Sequence, residues 1–153
     1  MKTRAFFSTV IVFAFCFSVY SQNTLPDYLI IEKNFPGKSD LENAMKDSEN
    51  VFFNNSSSPV FTQIGSILEN KGINNLHLFI QTEPGKMIFQ GMILTNSNIS
   101  GFAEYLSTWK NSVKGRVIIH SNIIFNYPEG NELKQNLENI TGLPFEIRNI
   151  RNN

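Results

Sequence analysis

Two short polar segments of this chain carry side chains that could do chemistry. The first segment is Gln81, Thr82 and Glu83, and the second is His120, Ser121 and Asn122. Each follows an apolar run typical of a buried strand, "NLHLFI" before the first and "RVII" before the second. Their side chains can donate or accept hydrogen bonds, and serine with histidine can catalyse acyl transfer. Ligands of open α/β sheets bind beyond the carboxyl ends of the strands, so these six are the candidate ligand-binding residues.

The segments that would position these residues alternate between strand and helix patterns. Runs rich in strand formers predict strands at 28–32, 50–54, 75–80, 115–121 and 144–148. Apolar stripes at helical spacing predict four helices, which run through 41–45, 60–68, 99–106 and 133–140. This alternation, with continuous apolar strands, predicts an α/β fold. We expect a three-layer sandwich around a mostly parallel sheet of four to five strands.

The run "KMIFQGMILT" has a different pattern. It predicts a side hairpin at 86–94 that turns near Gln90-Gly91. The segment between the third strand and this hairpin, Gln81 to Gly85, is polar and ends in Pro-Gly, which is typical of a loop.

The first 21 residues have the pattern of a secretory signal peptide. "MKTR" is a basic start, "AFFSTVIVFAFCF" is an apolar core, and "SVYSQ" permits cleavage after Ser21. A lipoprotein signal would need a small residue before Cys16, where Phe15 stands. Cleavage would remove Cys16, the one cysteine, and with it any disulfide or cysteine nucleophile. The sequence therefore predicts a signal peptide at 1–21 and one domain at 22–153, secreted or periplasmic.

Charge and hydropathy exclude several classes of partner. After residue 21 there are 11 Lys and Arg against 13 Asp and Glu, interspersed along the chain. Because there is no basic stripe, nucleic acid is not an expected partner. No later apolar run is long enough to cross a bilayer, and no cofactor motif or metal-ligand cluster stands out.

The stretch "GINNLHLFIQTEPGKMIFQGMILTNSNI" resembles a bacterial domain of uncharacterised function. That domain often stands at the N-terminus of very large surface proteins with repeated adhesive modules. It is in turn similar to the caspase and gingipain group of cysteine peptidases. The resemblance extends over most of residues 28–147, including "RVIIHSNIIF" and "ELKQNLENITG". It implies a caspase-like sheet with strand order 2-1-3-4.

The resemblance also implies a catalytic dyad, and this chain departs from the family at both of its members. The family has a His-Gly-Ser-Pro-Gly type loop after the third strand and a Tyr-Gly-Cys type turn after the fourth. Gln81 stands at the histidine position and Asn122 at the cysteine position, while Thr82, His120 and Ser121 replace their neighbours. Glutamine cannot shuttle a proton near neutral pH, and a carboxamide is no nucleophile. The family relationship therefore predicts an inactive relative with a vacated dyad.

Two further readings of the polar segments remain open. An atypical hydrolase could use Ser121 or His120, although adjacent strand residues point to opposite faces of a sheet. Glu83 could bind a cation or a peptide amine, or it could be a solvated turn residue. His77, inside an apolar strand, is interpreted as a hydrogen-bonded structural histidine.

The functional expectation is a binding module at the cell surface or in the periplasm. Its partner would be a peptide or a cell-surface component, held by the residues around the vacated dyad. The alternatives are the atypical hydrolase and a structural surface protein whose groove has no role.

Overall fold

The computed structural model describes residues 25–45, 50–54, 60–69, 71–89, 92–121 and 127–149. The predicted signal peptide, Asn122 and the predicted hairpin turn at 90–91 lie outside these ranges. Within the described residues, no helix is both long and apolar enough to cross a membrane.

The described chain contains eight strands and five α-helices. In chain order the strands are β1 (Tyr28–Glu32), β2 (Val51–Asn54), β3 (Leu76–Phe79), β4 (Gln81–Glu83), β5 (Lys86–Phe89), β6 (Met92–Leu94), β7 (Val117–Ser121) and β8 (Phe145–Asn149). The helices are α1 (Lys38–Met45), α2 (Val60–Leu68), α3 (Ala103–Ser107), α4 (Trp109–Ser112) and α5 (Pro128–Thr141).

Five of the strands form the main sheet, in the order β2-β1-β3-β7-β8. Every neighbouring pair in it is parallel. The predicted α/β class with a parallel sheet is therefore confirmed. Its strands are apolar along their length because helices cover much of the sheet, as parallel sheets require.

One face of the main sheet holds the large core, and we call it the helical face. Its strand residues are Tyr28, Ile30, Leu76, Leu78, Val117, Ile119 and Phe145, all buried. Helices α2 to α5 pack on it through apolar side chains that include Ile64, Leu106 and Leu137. Helix α5 has Pro128 at its start and ends at Gly142, whose φ of 68° is the left-handed conformation that glycine tolerates best.

The opposite face carries the two histidines, and we call it the histidine face. Its strand residues are Leu29, Ile31, His77, Phe79, Ile118 and His120, the alternates of those on the helical face. A small cluster of Ile31, Phe35 and Phe79 forms its core, with Leu41 of α1 packed against it. Helices therefore contact both faces, but unequally.

A second sheet is antiparallel and has three strands, in the order β4-β5-β6. The predicted side hairpin is confirmed as β5 and β6. The predicted polar loop at 81–85 is wrong, because residues 81–83 form β4. The turn at Pro84-Gly85 reverses the chain, with Gly85 at a φ of 66°, and β4 then pairs with β5.

The predicted helix at 99–106 is also different in the structure. Residues Ile99–Phe102 form a 3₁₀ turn, α3 follows, and α4 begins after a break at Thr108. The Thr108 hydroxyl donates to the carbonyl of Tyr105 at 2.7 Å, a local bond that competes with continuous helix. The apolar stripe itself is retained, since Ile99 and Leu106 both lie in the large core.

Candidate functional site

Gln81 and Glu83 lie on the exposed side of β4, just beyond the carboxyl end of β3. Thr82 points the other way, and its register partner Met87 is buried. Lys86 pairs with Glu83 across the turn at 2.9 Å. The structure thus places Gln81 in solvent at the edge of the sheet where ligands of α/β proteins bind. Glu83 is a paired turn-flanking residue.

Ser121 is the last residue of β7 and is fully buried. Its hydroxyl is hydrogen-bonded to the Thr82 hydroxyl at 2.5 Å. This bond ties the end of β7 to β4, which explains why two small hydroxyl residues occur at these positions. Ser121 was predicted as a candidate ligand-binding residue, and the structure has its side chain buried against β4.

His120 lies on the opposite side of the sheet from Ser121. In the register of β3 and β7 it stands beside Phe79, and the two rings stack at 4.1 Å. Its Nε2 is 2.9 Å from Nδ1 of His77. The structure therefore brings Ser121 to Thr82 and His120 to His77, and it does not bring Ser121 and His120 together.

His77 is hydrogen-bonded at both ring nitrogens, so its interpretation as a hydrogen-bonded histidine is confirmed. Its Nε2 is 3.2 Å from Oδ2 of Asp27, and its Nδ1 meets His120. Asp27 also accepts from the Asn75 backbone N–H at 3.0 Å and from the Asn75 side-chain amide at 3.0 Å. Asp27, which precedes β1, was not predicted from the sequence. The contact between the two histidines could have been anticipated, because His77 lies in the predicted third strand and His120 in the predicted fourth, its neighbour in the sheet.

The two ends of this chain of hydrogen bonds have opposite electrostatic preferences. Burial raises the pKa of Asp27, but hydrogen bonds from Asn75 and His77 outweigh it and leave the pKa below its ordinary value. Burial, together with the charges of His77 and Arg148, lowers the pKa of His120 to about 4, although the charge of Glu146 acts in the opposite direction. Asp27 is therefore ionised and His120 neutral near pH 7.

The charged side chains beside His120 come from β8 and from the residue before β7. Glu146 binds Arg148 at 2.7 Å and Arg116 at 3.1 Å. The Arg148 hydrogen bond and then the Arg116 hydrogen bond lower the pKa of Glu146. Arg116, Ile118 and Arg148 also line a shallow pocket of about 450 Å³ on this face.

The small sheet has an outer row made of Gln81, Ile88 and Ile93, which follow one another across β4, β5 and β6. Ile88 is half-buried, and Ile93 is 48% exposed. The sheet is held against α5 at its turn, where a Cβ on Gly85 would stand 2.8 Å from Cβ of Glu129. The outer row is consequently a surface of mixed polarity on a fixed support.

Among the residues that the structure describes, no cluster of three or more His, Cys, Asp or Glu could hold a metal ion.

Comparison with known families gives the wider relationship. The sequence pattern of an uncharacterised family, Domain of unknown function (DUF4347), matches residues 28–148. The chain belongs to the DUF4347 family. The DUF4347 match begins at the first residue of β1 and ends within β8, so it spans both sheets and both polar segments. Asp27 lies one residue outside it. No curated protein and no solved structure matches the chain.

Proposed function

We propose that this DUF4347 domain is a secreted, catalytically inactive relative of the caspase and gingipain peptidases. It works as a binding module that holds an extended peptide beside β4. The observation that carries the proposal is Gln81, which is exposed at the end of the central strand β3. In the related peptidases this position would hold the catalytic histidine.

The chemistry of Gln81 favours binding over catalysis. A carboxamide has one acceptor oxygen and two N–H donors, which match the carbonyl and N–H of a peptide backbone. It has no titration near neutral pH and cannot serve as a general base. A vacated catalytic position would keep the peptide-binding geometry of its relatives and lose the reaction.

The surroundings of Ser121 support the inactive reading over the hydrolase alternative. A serine nucleophile needs access to its substrate and a base within hydrogen-bond reach. Ser121 is fully buried and bonded to Thr82, while His120 stacks on Phe79 on the opposite face. His120 is therefore not positioned as the base for Ser121, and the burial of the hydroxyl favours a structural role for this serine.

The form of the small sheet favours an extended peptide as the ligand. Among the described strands, β4 pairs with β5 alone. A peptide can add to such an edge through main-chain hydrogen bonds, while pockets for alternate side chains give specificity. Gln81 would contact the peptide backbone, and Ile88 on β5, the next strand, would contact its apolar side chains.

Secretion is part of this proposal and rests on the signal-peptide pattern at 1–21. Its test is separate from that of binding. Mass spectrometry of the exported protein should find a mature chain that begins at Gln22. A chain that retains residue 1 in the cytoplasm would contradict it.

The binding test is a titration followed by NMR. The probe is a panel of unstructured peptides that alternate polar and apolar residues, added to the ¹⁵N-labelled protein. We expect backbone shifts concentrated at 81–83 and, on the neighbouring strand, at 86–89. Gln81→Ala should weaken binding about tenfold, as expected for loss of one or two hydrogen bonds. Gln135→Ala on α5 is the matched control, since Gln135 is an exposed glutamine far from β4 in the chain.

Two outcomes would overturn the proposal. If no peptide shifts the resonances of 81–83 or 86–89, the edge is not a binding site, and the result favours the structural-protein alternative. If the wild type cleaves peptide or ester substrates faster than a Ser121→Ala variant, the domain is a hydrolase. Equal background rates from both proteins would end the hydrolase alternative.

A further inference from the structure

The chain has two histidines, and they are bonded to each other. His77 and His120 are 43 residues apart in the sequence. They meet because β3 and β7 are neighbours in the main sheet. Histidine is the side chain whose ordinary pKa puts its charge change between pH 5 and 8. The response of this protein's side chains to mild acid is therefore concentrated in one pair.

The geometry of the pair is that of one in-line hydrogen bond. Nδ1 of His77 and Nε2 of His120 are 2.9 Å apart. The ring centroids are 5.2 Å apart, and the ring planes differ by 17°. A centroid separation this large at that N–N distance requires the two nitrogens to point at each other. One proton fits between them, and a metal ion does not.

Asp27 determines where each proton lies. An ionised carboxylate can only accept, so Nε2 of His77 must carry the hydrogen that it donates to Asp27. In a neutral His77 ring, Nδ1 then has a lone pair and accepts from Nε2–H of His120. A neutral His120 consequently has its lone pair at Nδ1. The carboxylate thus sets the tautomer of a ring that it does not touch.

The pair can take up one proton without losing a hydrogen bond, but not two. A first proton can enter at Nδ1 of His120, and the bridging proton can then move to His77, next to Asp27. Both hydrogen bonds survive and become charge-assisted. With a second proton, both facing nitrogens carry hydrogen, and the contact between the rings becomes repulsive. This behaviour belongs to the pair and not to either residue.

The surroundings oppose the second proton. His120 is stacked on Phe79, which meets Phe35 edge-on, so one face of the His120 ring is shielded from water. From β8, Arg148 opposes a positive charge on His120, and Glu146 favours it while it is shared with Arg148 and Arg116.

Helix α1 also packs on this face. Helix α1 brings Leu41 to the cluster of Ile31, Phe35 and Phe79. Its Lys38 is paired with Glu42 at 2.9 Å. Asp27, from the segment before β1, is the carboxylate bonded to the pair.

We propose that Asp27, His77 and His120 form an acid-operated latch across β3 and β7. The latch stays closed with zero or one added proton and opens when the second proton arrives. Opening separates the two rings and uncovers Phe79, which is now 9% exposed beneath His120. The histidine face then loosens, while the helical face stays packed.

The first test reads the proton positions directly from the ¹⁵N shifts of the imidazoles in the purified protein. At pH 7 we expect both rings to show Nε2–H and a bare Nδ1. On acidification, the hydrogen bond between the two rings should be lost near pH 4. Because the chain has two histidines, both signals can be assigned with His77→Gln and His120→Gln. Two independent titrations near pH 6.5, or an Nδ1–H tautomer at His77, would overturn the latch.

The second test uses Asp27→Asn, which keeps the size of the side chain and removes its charge. The fixed tautomer at His120 should become a mixture, although residue 27 does not contact that ring. Hydrogen exchange at Phe79 and Ile118 should rise below pH 5 in the wild type. The fluorescence of Trp109, the single tryptophan, should not change, because it lies in the core of the helical face. A simultaneous change at Trp109 would indicate global acid unfolding and would overturn a local latch.

Discussion

The two faces of the main sheet are built from alternate residues of the same strands, yet they differ in kind. The helical face is covered by four helices and buries a continuous apolar cluster. Among the residues that the structure describes, the histidine face has one helix, a three-residue buried cluster and a chain of hydrogen-bonded side chains. Folding free energy should therefore come mainly from the first face, and the pH response from the second.

The largest expected effect on stability is a difference between substitutions at two neighbouring residues of β7. Ile119 is fully buried in the helical face, and Ile118 is 2% exposed on the histidine face. Ile119→Ala should destabilise the protein by about 2–5 kcal/mol, because the surrounding core cannot collapse into the cavity. Ile118→Ala should cost about half as much, because this residue already lines an open pocket. Urea unfolding of both variants measures this, and equal losses would break the comparison.

The second prediction concerns Gly115, around which the histidine face is closely packed. A Cβ there would lie 2.6 Å from Oδ1 of Asn75 and 2.8 Å from the carbonyl oxygen of Asn74. Gly115→Ala should therefore cost about 1–3 kcal/mol through overpacking. It should also weaken the Asn75 contacts to Asp27, which the His77 ¹⁵N shifts would report. A neutral result in thermal unfolding would mean that this end of the sheet adjusts freely.

The pH dependence of stability should sharpen the comparison further. The pKa of His120 is lowered from 6.5 to about 4 in the folded protein. The folded state therefore binds fewer protons than the unfolded state between these values. The contribution of neutral His120 to the free energy of unfolding is therefore complete above pH 6.5 and is lost as the pH falls towards 4. We expect a loss on the order of 1–2 kcal/mol, reduced by the partial exposure of the ring.

The control for this pH effect is a His120→Phe variant, which keeps an aromatic ring on Phe79. Its free energy of unfolding should vary less between pH 6.5 and 4 than that of the wild type. If the two curves run parallel, carboxylates elsewhere and not His120 determine acid sensitivity.

The smallest expected effect is a stabilisation on the helical face. Gly65 lies inside α2, beside a cavity of about 490 Å³ between α2 and α4, and a Cβ there would meet nothing within 4 Å. Gly65→Ala should raise the free energy of unfolding by about 0.5–1 kcal/mol through helix propensity. Ser66→Ala, at the next position of α2, is a control for general surface effects. A destabilised Gly65→Ala would mean that the cavity is not available to a methyl group.

Several elements could be read from the sequence because their signals are local. The run "YLIIE" coincides with β1, and Pro128 and Gly142 mark the two ends of α5. Strand β4 was missed because it is three residues long and its single strand former, Thr82, stands between Gln81 and Glu83. Its pairing depends on the Pro84-Gly85 turn and on the partner β5. The break at Thr108 was missed because an apolar stripe does not distinguish one helix from two short ones.

In the candidate site, too, local sequence signals did not reveal contacts between residues that are distant in the chain. Gln81 was predicted at the carboxyl edge of the sheet, and the structure has it there, exposed to solvent. It could not foresee that Ser121 turns inward to Thr82, or that His120 meets His77 and, through it, Asp27. These contacts join residues that are 39, 43 and 50 positions apart.

By itself, the sequence determined the class of the fold, most strand positions and the residues at the carboxyl edge. Periodicity and turn chemistry act over a few residues, so they can be read along the chain. The tertiary structure decided which polar side chains are bound to each other and which remain exposed. That choice depends on sheet order and register, since a shift of one residue moves every side chain to the other face. In this domain the register separates an inward serine, an exposed glutamine and a pair of histidines that are hydrogen-bonded to each other.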